Sequence, residues 1–328
     1  IFSASLSAQT LTIRQIMAEP SIAGQRVEGE KLSPDGTKVV FLWNAEGKPR
    51  RDLYIVSTAG GTPEKILSPD QLPAPQRPAE KPDPLGYGVV IRDQFVRERE
   101  NALGNFEWSP ESTRLIFTFG GDVYVMTVAD RSIKRITKTQ SPEFGARFLD
   151  NDRILYSHSG NAFVLGLADA TLTQVTREAD PQRFISVGNV ATSKDGRMAA
   201  YVVSDGSKQR QLVVPNFLPE FVTGGGPRRG WSEQKLMFMP TDGSRDTPHE
   251  IKLPKPEGVS SFRRMVWAAD NRSLIVDRLD KDTKRRQLFY IYNVGSKDEK
   301  IILVTQETDD KWQAPLSTIF EPNPKNPA

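Results

Sequence analysis

The chain has no cysteine, and its 328 residues include only two histidines, His158 and His249. The first absence excludes disulfides, thiolate catalysis and cysteine-ligated zinc, and is compatible with an exported bacterial protein. The second leaves little imidazole chemistry. Neither histidine belongs to a His-x-x-x-His or carboxylate cluster, so His158 reads as a turn residue and His249 as the start of an outer strand. No apolar run reaches the ~20 residues of a membrane-crossing helix, so no membrane span is expected. Charge of one sign is lacking as well: 44 Lys+Arg against 41 Asp+Glu leave a net +3. The arginine pairs (Arg50-Arg51, Arg228-Arg229, Arg263-Arg264, Arg285-Arg286) are scattered among acids, which excludes a nucleic-acid-binding face. Asp280-x-Asp282 lacks the Gly and distant Glu of a calcium loop and reads as a solvated hairpin tip. Gly224-Gly225-Gly226-Pro227 is not followed by Gly-Lys-Ser/Thr and reads as a flexible insertion, not a phosphate loop. Neither a metal nor a cofactor is expected.

What the chain does have is a recurring phrase. Lys31-Leu32-Ser33-Pro34-Asp35-Gly36-Thr37-Lys38 runs into Val39-Val40-Phe41-Leu42-Trp43, and Glu107-Trp108-Ser109-Pro110-Glu111-Ser112-Thr113-Arg114 runs into Leu115-Ile116-Phe117. Looser copies lie at Phe148–Arg153, Thr192–Arg197 and Trp267–Arg272. After each phrase come a strongly apolar strand, a turn, a second strand and a short third one. In the first repeat these strands are Lys38–Asn44, Asp52–Ser57 and Glu64–Leu67. The spacing from Ser109 to Leu149 is 40 residues and from Leu149 to Ser193 is 44, the period of a four-stranded propeller blade. The sequence therefore predicts an all-β chain, a β-propeller of about five four-stranded blades plus the start of a sixth. Trp43, Trp108 and Trp267 are assigned to the core between blades.

Two insertions account for the longer intervals. One, at about 68–104, opens with Pro69, Pro73, Pro75, Pro78, Pro82 and Pro84, which cannot join a sheet ladder. It closes on a charged helical stretch carrying Ile91, Phe95 and Leu103 near one face. The other, at about 210–232, holds Phe217, Phe221, Arg229 and Trp231, residue types favoured at contacts. Residues 1–23 read as a signal-peptide remnant, Ser3 to Gln9, followed by a short helical lead-in from Thr10 to about Ala23; residues 24–328 form the propeller. The segment Ile319–Asn326 resembles a sixth, degraded copy of the phrase. The ring is thus expected to be incomplete, and the sequence to be a fragment of a longer, secreted or periplasmic protein.

The phrase Leu-Ser-Pro-Asp-Gly-Thr-Lys, followed by Asp52-Leu53-Tyr54-Ile55-Val56 and Gly60-Gly61-Thr62-Pro63, resembles the propeller repeats of the prolyl oligopeptidase family of serine peptidases and of the TolB-like periplasmic proteins. The stretch from Arg97 to Pro110, continuing to Gly121-Asp122-Val123-Tyr124-Val125, is similar to the N-terminal propeller of the dipeptidyl peptidase IV branch. The resemblance implies a propeller lid over an α/β-hydrolase domain of the same parent chain, gating a peptide substrate. It implies no catalytic residue in this chain, which has no Gly-x-Ser-x-Gly elbow. It departs from the branch in having no Glu-Glu pair, the device that grips a substrate's amino terminus, so release of dipeptides is not implied. Arg92, Arg97 and Arg99 lie in the neighbourhood of that branch's propeller arginine, and none is assigned its role. With Phe217, Phe221, Arg229 and Trp231 they are the candidate substrate or interdomain contacts. The alternative is a non-catalytic TolB-like propeller that binds an envelope protein or a ligand.

Overall fold

The computed structural model describes residues 11–17, 26–47, 50–73, 103–211, 228–229 and 231–311. They form five sheets, each of four antiparallel strands in chain order. The first holds β1 (Glu28–Leu32), β2 (Lys38–Trp43), β3 (Asp52–Ser57) and β4 (Glu64–Leu67). The second holds β5 (Phe106–Trp108), β6 (Arg114–Phe119), β7 (Asp122–Thr127) and β8 (Ile133–Arg135). The third holds β9 (Glu143–Phe148), β10 (Arg153–His158), β11 (Asn161–Gly166) and β12 (Leu172–Gln174). The fourth starts with β13 (Ile185–Thr192) and β14 (Met198–Asp205). A two-residue ribbon, β15 (Arg210–Gln211) with β16 (Arg228–Arg229), comes next in the chain. The fourth sheet resumes with β17 (Glu233–Pro240) and β18 (His249–Glu250). The fifth holds β19 (Ser261–Trp267), β20 (Leu274–Asp280), β21 (Arg285–Tyr292) and β22 (Lys300–Thr308). These are blades of the propeller type, numbered 1 to 5 below. The chain divides into two compact units, 1–151 and 152–328.

The sequence located three strands per repeat; the structure adds the strand that leads into each phrase. β1 shows why such strands are hard to read. Four of its five residues are exposed, and its pairing slips between Glu28 and Lys31, so neither an apolar run nor alternation marks it. Of the lead-in, one exposed helical turn is described, Ile13–Ile16, closed by a capping box between Thr12 and Gln15. The signal-like segment and the sixth phrase lie outside the described residues.

The phrase works as a tight turn with two jobs. Within a blade, the Ser33 N–H donates to the Lys38 carbonyl (2.8 Å) and its hydroxyl accepts from the Lys38 N–H (2.9 Å). Ser109 with Arg114, and Ser193 with Met198, repeat both bonds. Asp35 collects the Ser33 hydroxyl (2.6 Å) and the Thr37 N–H and hydroxyl (3.0 and 2.9 Å) on one oxygen. The fourth residue is left-handed: Gly36 at φ 73°, Ser112 at 59°, Gly196 at 66° and Asn271 at 56°. Glycine and asparagine tolerate that conformation best.

The second job joins blades. The left-handed residue's side chain accepts from the previous phrase: Asp35 N–H donates to Ser112 Oγ at 3.0 Å, and Asp195 N–H to Asn271 Oδ1 at 3.3 Å. Two indoles do the same, Trp108 Nε1 to the Lys31 carbonyl (3.0 Å) and Trp267 Nε1 to the Ala191 carbonyl (2.9 Å). Both rings sit in buried apolar clusters. Trp43, placed in the same core by the sequence, is only half-buried and packs edge-on to Tyr54.

A second repeat lies on the strand faces. Phe41 stacks on Tyr54, Phe117 on Tyr124 and Tyr156 on Phe163, at centroid distances of 6.0, 5.5 and 6.0 Å. Each pair faces across the ladder between the blade's second and third strands. A third ring completes each set edge-on: Trp43, Phe119 and His158. His158 thus holds an aromatic packing position, beyond the turn role read from the sequence.

Blade 5 fills the corresponding place with Arg278, whose guanidinium lies 4.9 Å from the Phe289 ring. Arg278 is buried and donates to the Pro254 carbonyl (2.6 Å) and to Gln287 Oε1 (2.5 Å). Beside it Asp280, fully buried, takes both ends of the Arg285 fork at 2.7 and 2.5 Å. The reading of Asp280 as part of a solvated tip is corrected here: its charge is desolvated but matched by a bidentate arginine, the arrangement that makes such burial tolerable.

Candidate functional site

Of the contacts proposed from the sequence, Arg92, Arg97, Arg99, Phe217 and Phe221 lie outside the described residues. Arg229 is described only in its backbone, opposite Arg210 in the β15–β16 ribbon. Trp231 is 56% exposed. His249 Nε2 lies 2.9 Å from Glu299 Oε2, which also accepts the Gly295 N–H at 2.7 Å. This is a strand-edge contact, with no serine in it. Among the described residues no group of three or more His, Asp or Glu side chains is placed to hold a metal ion.

Among the described residues, two grooves bear on the question of a site. The first, of about 700 Å³, runs between blades 1 and 2. Of its two cations, Lys38 and Arg131, the second pairs across it with Glu64, Arg131 Nη2 to Glu64 Oε1 at 2.9 Å. It reads as a packing seam.

The second groove, of about 650 Å³, lies on blade 4. Its floor is the sheet face that in blades 1 to 3 carries the aromatic set. The matching positions here are Tyr201, Met237 and Val203. Tyr201 faces Met237, and Val203 faces Lys235, in the β14–β17 ladder. Only Tyr201 is buried; Val203, Met237 and Ile185 of β13 are half-buried. The opposite wall is the link from β12 to β13, Arg177 to Arg183.

That link is firmly shaped. Asp180 accepts the Gln182 and Arg183 N–H groups (3.1 and 3.3 Å), and Pro181 opens a single 3-10 turn, Pro181–Arg183. Asp180 and Ile185 exchange backbone bonds at 2.9 Å. Closing this narrow turn puts Phe184 in the left-handed region, at φ 59°, with 45% of its surface exposed. That is an uncommon and costly conformation for a bulky side chain. Glu178 is tied down as well: Oε1 accepts the Tyr201 hydroxyl at 2.7 Å and Oε2 the Arg177 N–H at 2.8 Å. Burial, and then the bond to Glu178, push the Tyr201 phenol far above its ordinary value, so it stays a neutral donor.

The charges around the groove are unevenly engaged. Glu178 and Asp180 are hydrogen-bonded, and Glu250 lies 3.9 Å from Lys235. Arg177 and Arg183 are exposed, and among the described residues neither guanidinium has a carboxylate at ion-pair distance. The groove carries no motif of its own in the sequence, because its signal is a substitution pattern: the tenth residue after the turn serine is Trp43, Phe119 and then Val203.

No protein-family model matches the chain. Its structure is similar to the crystal structure of Porphyromonas gingivalis dipeptidyl peptidase 4, with a TM-score of 0.61 and 15% sequence identity over 87% of this chain. The match spans 40% of that protein's length. At this identity the likeness shows the fold.

Proposed function

We propose that this chain is the substrate-gating propeller part of a secreted serine peptidase of the prolyl oligopeptidase family. The observation that carries the reading is the likeness to a dipeptidyl peptidase 4 over 87% of the chain but only 40% of that protein, joined to the ordered motifs from Arg97 to Val125. In this reading the acyl transfer belongs to a serine of an α/β-hydrolase domain in the same parent protein. The propeller restricts which peptides reach it and forms part of the pocket wall. Arg92, Arg97, Arg99, Phe217, Phe221, Arg229 and Trp231 are its proposed contacts with peptide or hydrolase domain. The small-residue segment Ser3 to Gln9 supports export.

The test is to read the gene beyond the codon for Ala328 and to treat both the full product and residues 1–328 with a fluorophosphonate probe for activated serines. A Gly-x-Ser-x-Gly elbow downstream, with labelling of the full product and none of residues 1–328, is the expected result. A reading frame that stops after a sixth blade, with no labelling, replaces this reading with the TolB-like scaffold. Labelling of residues 1–328 themselves overturns both.

A further inference from the structure

The groove on blade 4 is an exception within its own repeat. Blades 1 to 3 fill the corresponding face with three rings, and blade 5 fills it with Arg278 over Phe289. Blade 4 leaves Val203 and Met237 half-covered beneath about 650 Å³ of open volume. Half-exposed apolar side chains without a neighbour forfeit the contacts and burial that close packing provides. Beside this floor stand two exposed guanidiniums, Arg177 and Arg183, neither with a carboxylate at ion-pair distance among the described residues; Arg183 acts on Asp205 from further off, and the link that carries both is held in one shape by Asp180. The strained, half-exposed Phe184 follows Arg183 directly. Strain of this kind gathers at ligand sites, where the surrounding structure holds it in place.

We propose that this groove binds a small monocarboxylate with an apolar body. The carboxylate is held by the planar forks of Arg177 and Arg183, which match its two oxygens. The body lies on Ile185, Val203 and Met237. The charge balance disfavours a dianion: the lining holds as many acids (Glu178, Asp180, Glu250) as cations (Arg177, Arg183, Lys235), and Asp205 acts on Arg183 from outside it, so no surplus of positive charge is left to hold two negative charges. A dianion such as phosphate would meet those acids at close range, whereas a monoanion replaces only the missing partner of the arginines. Tyr201 is a positioning residue, because its bond to Glu178 Oε1 holds that carboxylate on the phenol and the Arg177 backbone N–H and away from the Arg177 guanidinium. The site does not depend on the peptidase reading.

The test uses the whole chain, with methyl-labelled Ile, Val and Met observed by NMR. The probes are N-acetyl-leucine, N-acetyl-leucinamide and inorganic phosphate. N-acetyl-leucine is expected to shift the Ile185, Val203 and Met237 methyls in a saturable way, with binding at least about tenfold weaker for the amide, the scale of one lost charge-assisted contact. Phosphate is expected to leave those methyls in place. The double variant R177Q/R183Q, both exposed positions, should keep the fold and lose the same tenfold or more. V203F, which restores a ring to the face, should abolish binding with the melting point unchanged or raised. Equal binding of acid and amide, undiminished binding in R177Q/R183Q, phosphate as tight as the carboxylate, or no saturable shift at tens of millimolar overturns the proposal. If V203F fails to fold, the arginine variant decides.

Discussion

Blades 2 and 4 share a backbone plan and differ in how one face is finished. In blade 2, Phe117 is wholly buried, Tyr124 lies stacked on it and Phe119 stands edge-on, with 3 and 4% of the last two exposed. All three belong to one apolar cluster with Val40, Leu53 and Ile55 of blade 1. In blade 4 the same pairing geometry presents Tyr201, Met237 and Val203, and the latter two stay half-covered. The ladder of backbone bonds does not depend on which residues it displays, so a blade can give up its aromatic set and keep its fold. What it gives up is packing; what it acquires is volume.

Truncations should break this comparison most visibly. Phe117→Ala removes a fully buried ring and is expected to cost about 3–5 kcal/mol, whereas Val203→Ala, at a half-covered site, should cost under about 1 kcal/mol. Urea denaturation of both variants measures the gap, and equal costs would mean that the two faces are packed alike. The next effect is smaller. Tyr201→Phe removes the bond to Glu178 and should cost about 1.5 kcal/mol, the low end for a hydrogen bond to a charged group because Glu178 is half-buried and can be rehydrated. An unchanged melting point in Tyr201→Phe would show that this bond does not hold the groove's wall.

The smallest effect lies in the turn phrase, at its copy in blade 1. Hydrogen bonds from Ser33 and Thr37 hold the Asp35 carboxyl down at about 2, below its ordinary 3.8. The fold thus favours the ionised form. Its contribution is complete above the ordinary value and is lost as pH falls through about 2. Blade 2 has Glu111 at this place, whose carboxylate accepts from the Asn151 amide instead. Asp35→Asn should therefore flatten the acid limb of the stability curve slightly between those two values. Side-chain carboxyl NMR should find Asp35 titrating near 2. Titration at its ordinary value would dismiss the bonding scheme.

How much of this was legible in the sequence depends on where the information sits. The turn phrase could be read because its serine, proline and glycine act locally, each through a bond or a dihedral within six residues. The apolar strands β2, β6 and β10 followed from their composition. The leading strands did not, since β1 is mostly exposed and carries a slip in register. The aromatic sets were hidden because their members come from different strands and meet only through the ladder. Asp280 looked solvated because its neutralising partner, Arg285, closes on it from across a hairpin. The groove was the hardest case, being defined by rings that blade 4 lacks.

The bonds from one turn to the next carry a further consequence. Asp35 and Ser112 are 77 residues apart in the chain and yet meet at 3.0 Å; Asp195 and Asn271, 76 apart, repeat the contact. Each clasp joins the same corner of two successive blades, although the sequence between the two turns includes the added stretches at about 68–104 and 210–232. Blades 1 and 2, and likewise blades 4 and 5, are therefore held corner to corner by bonds that do not depend on how many residues separate them in the chain. This is a scaffold on which long excursions can be grown or lost without renegotiating the seams.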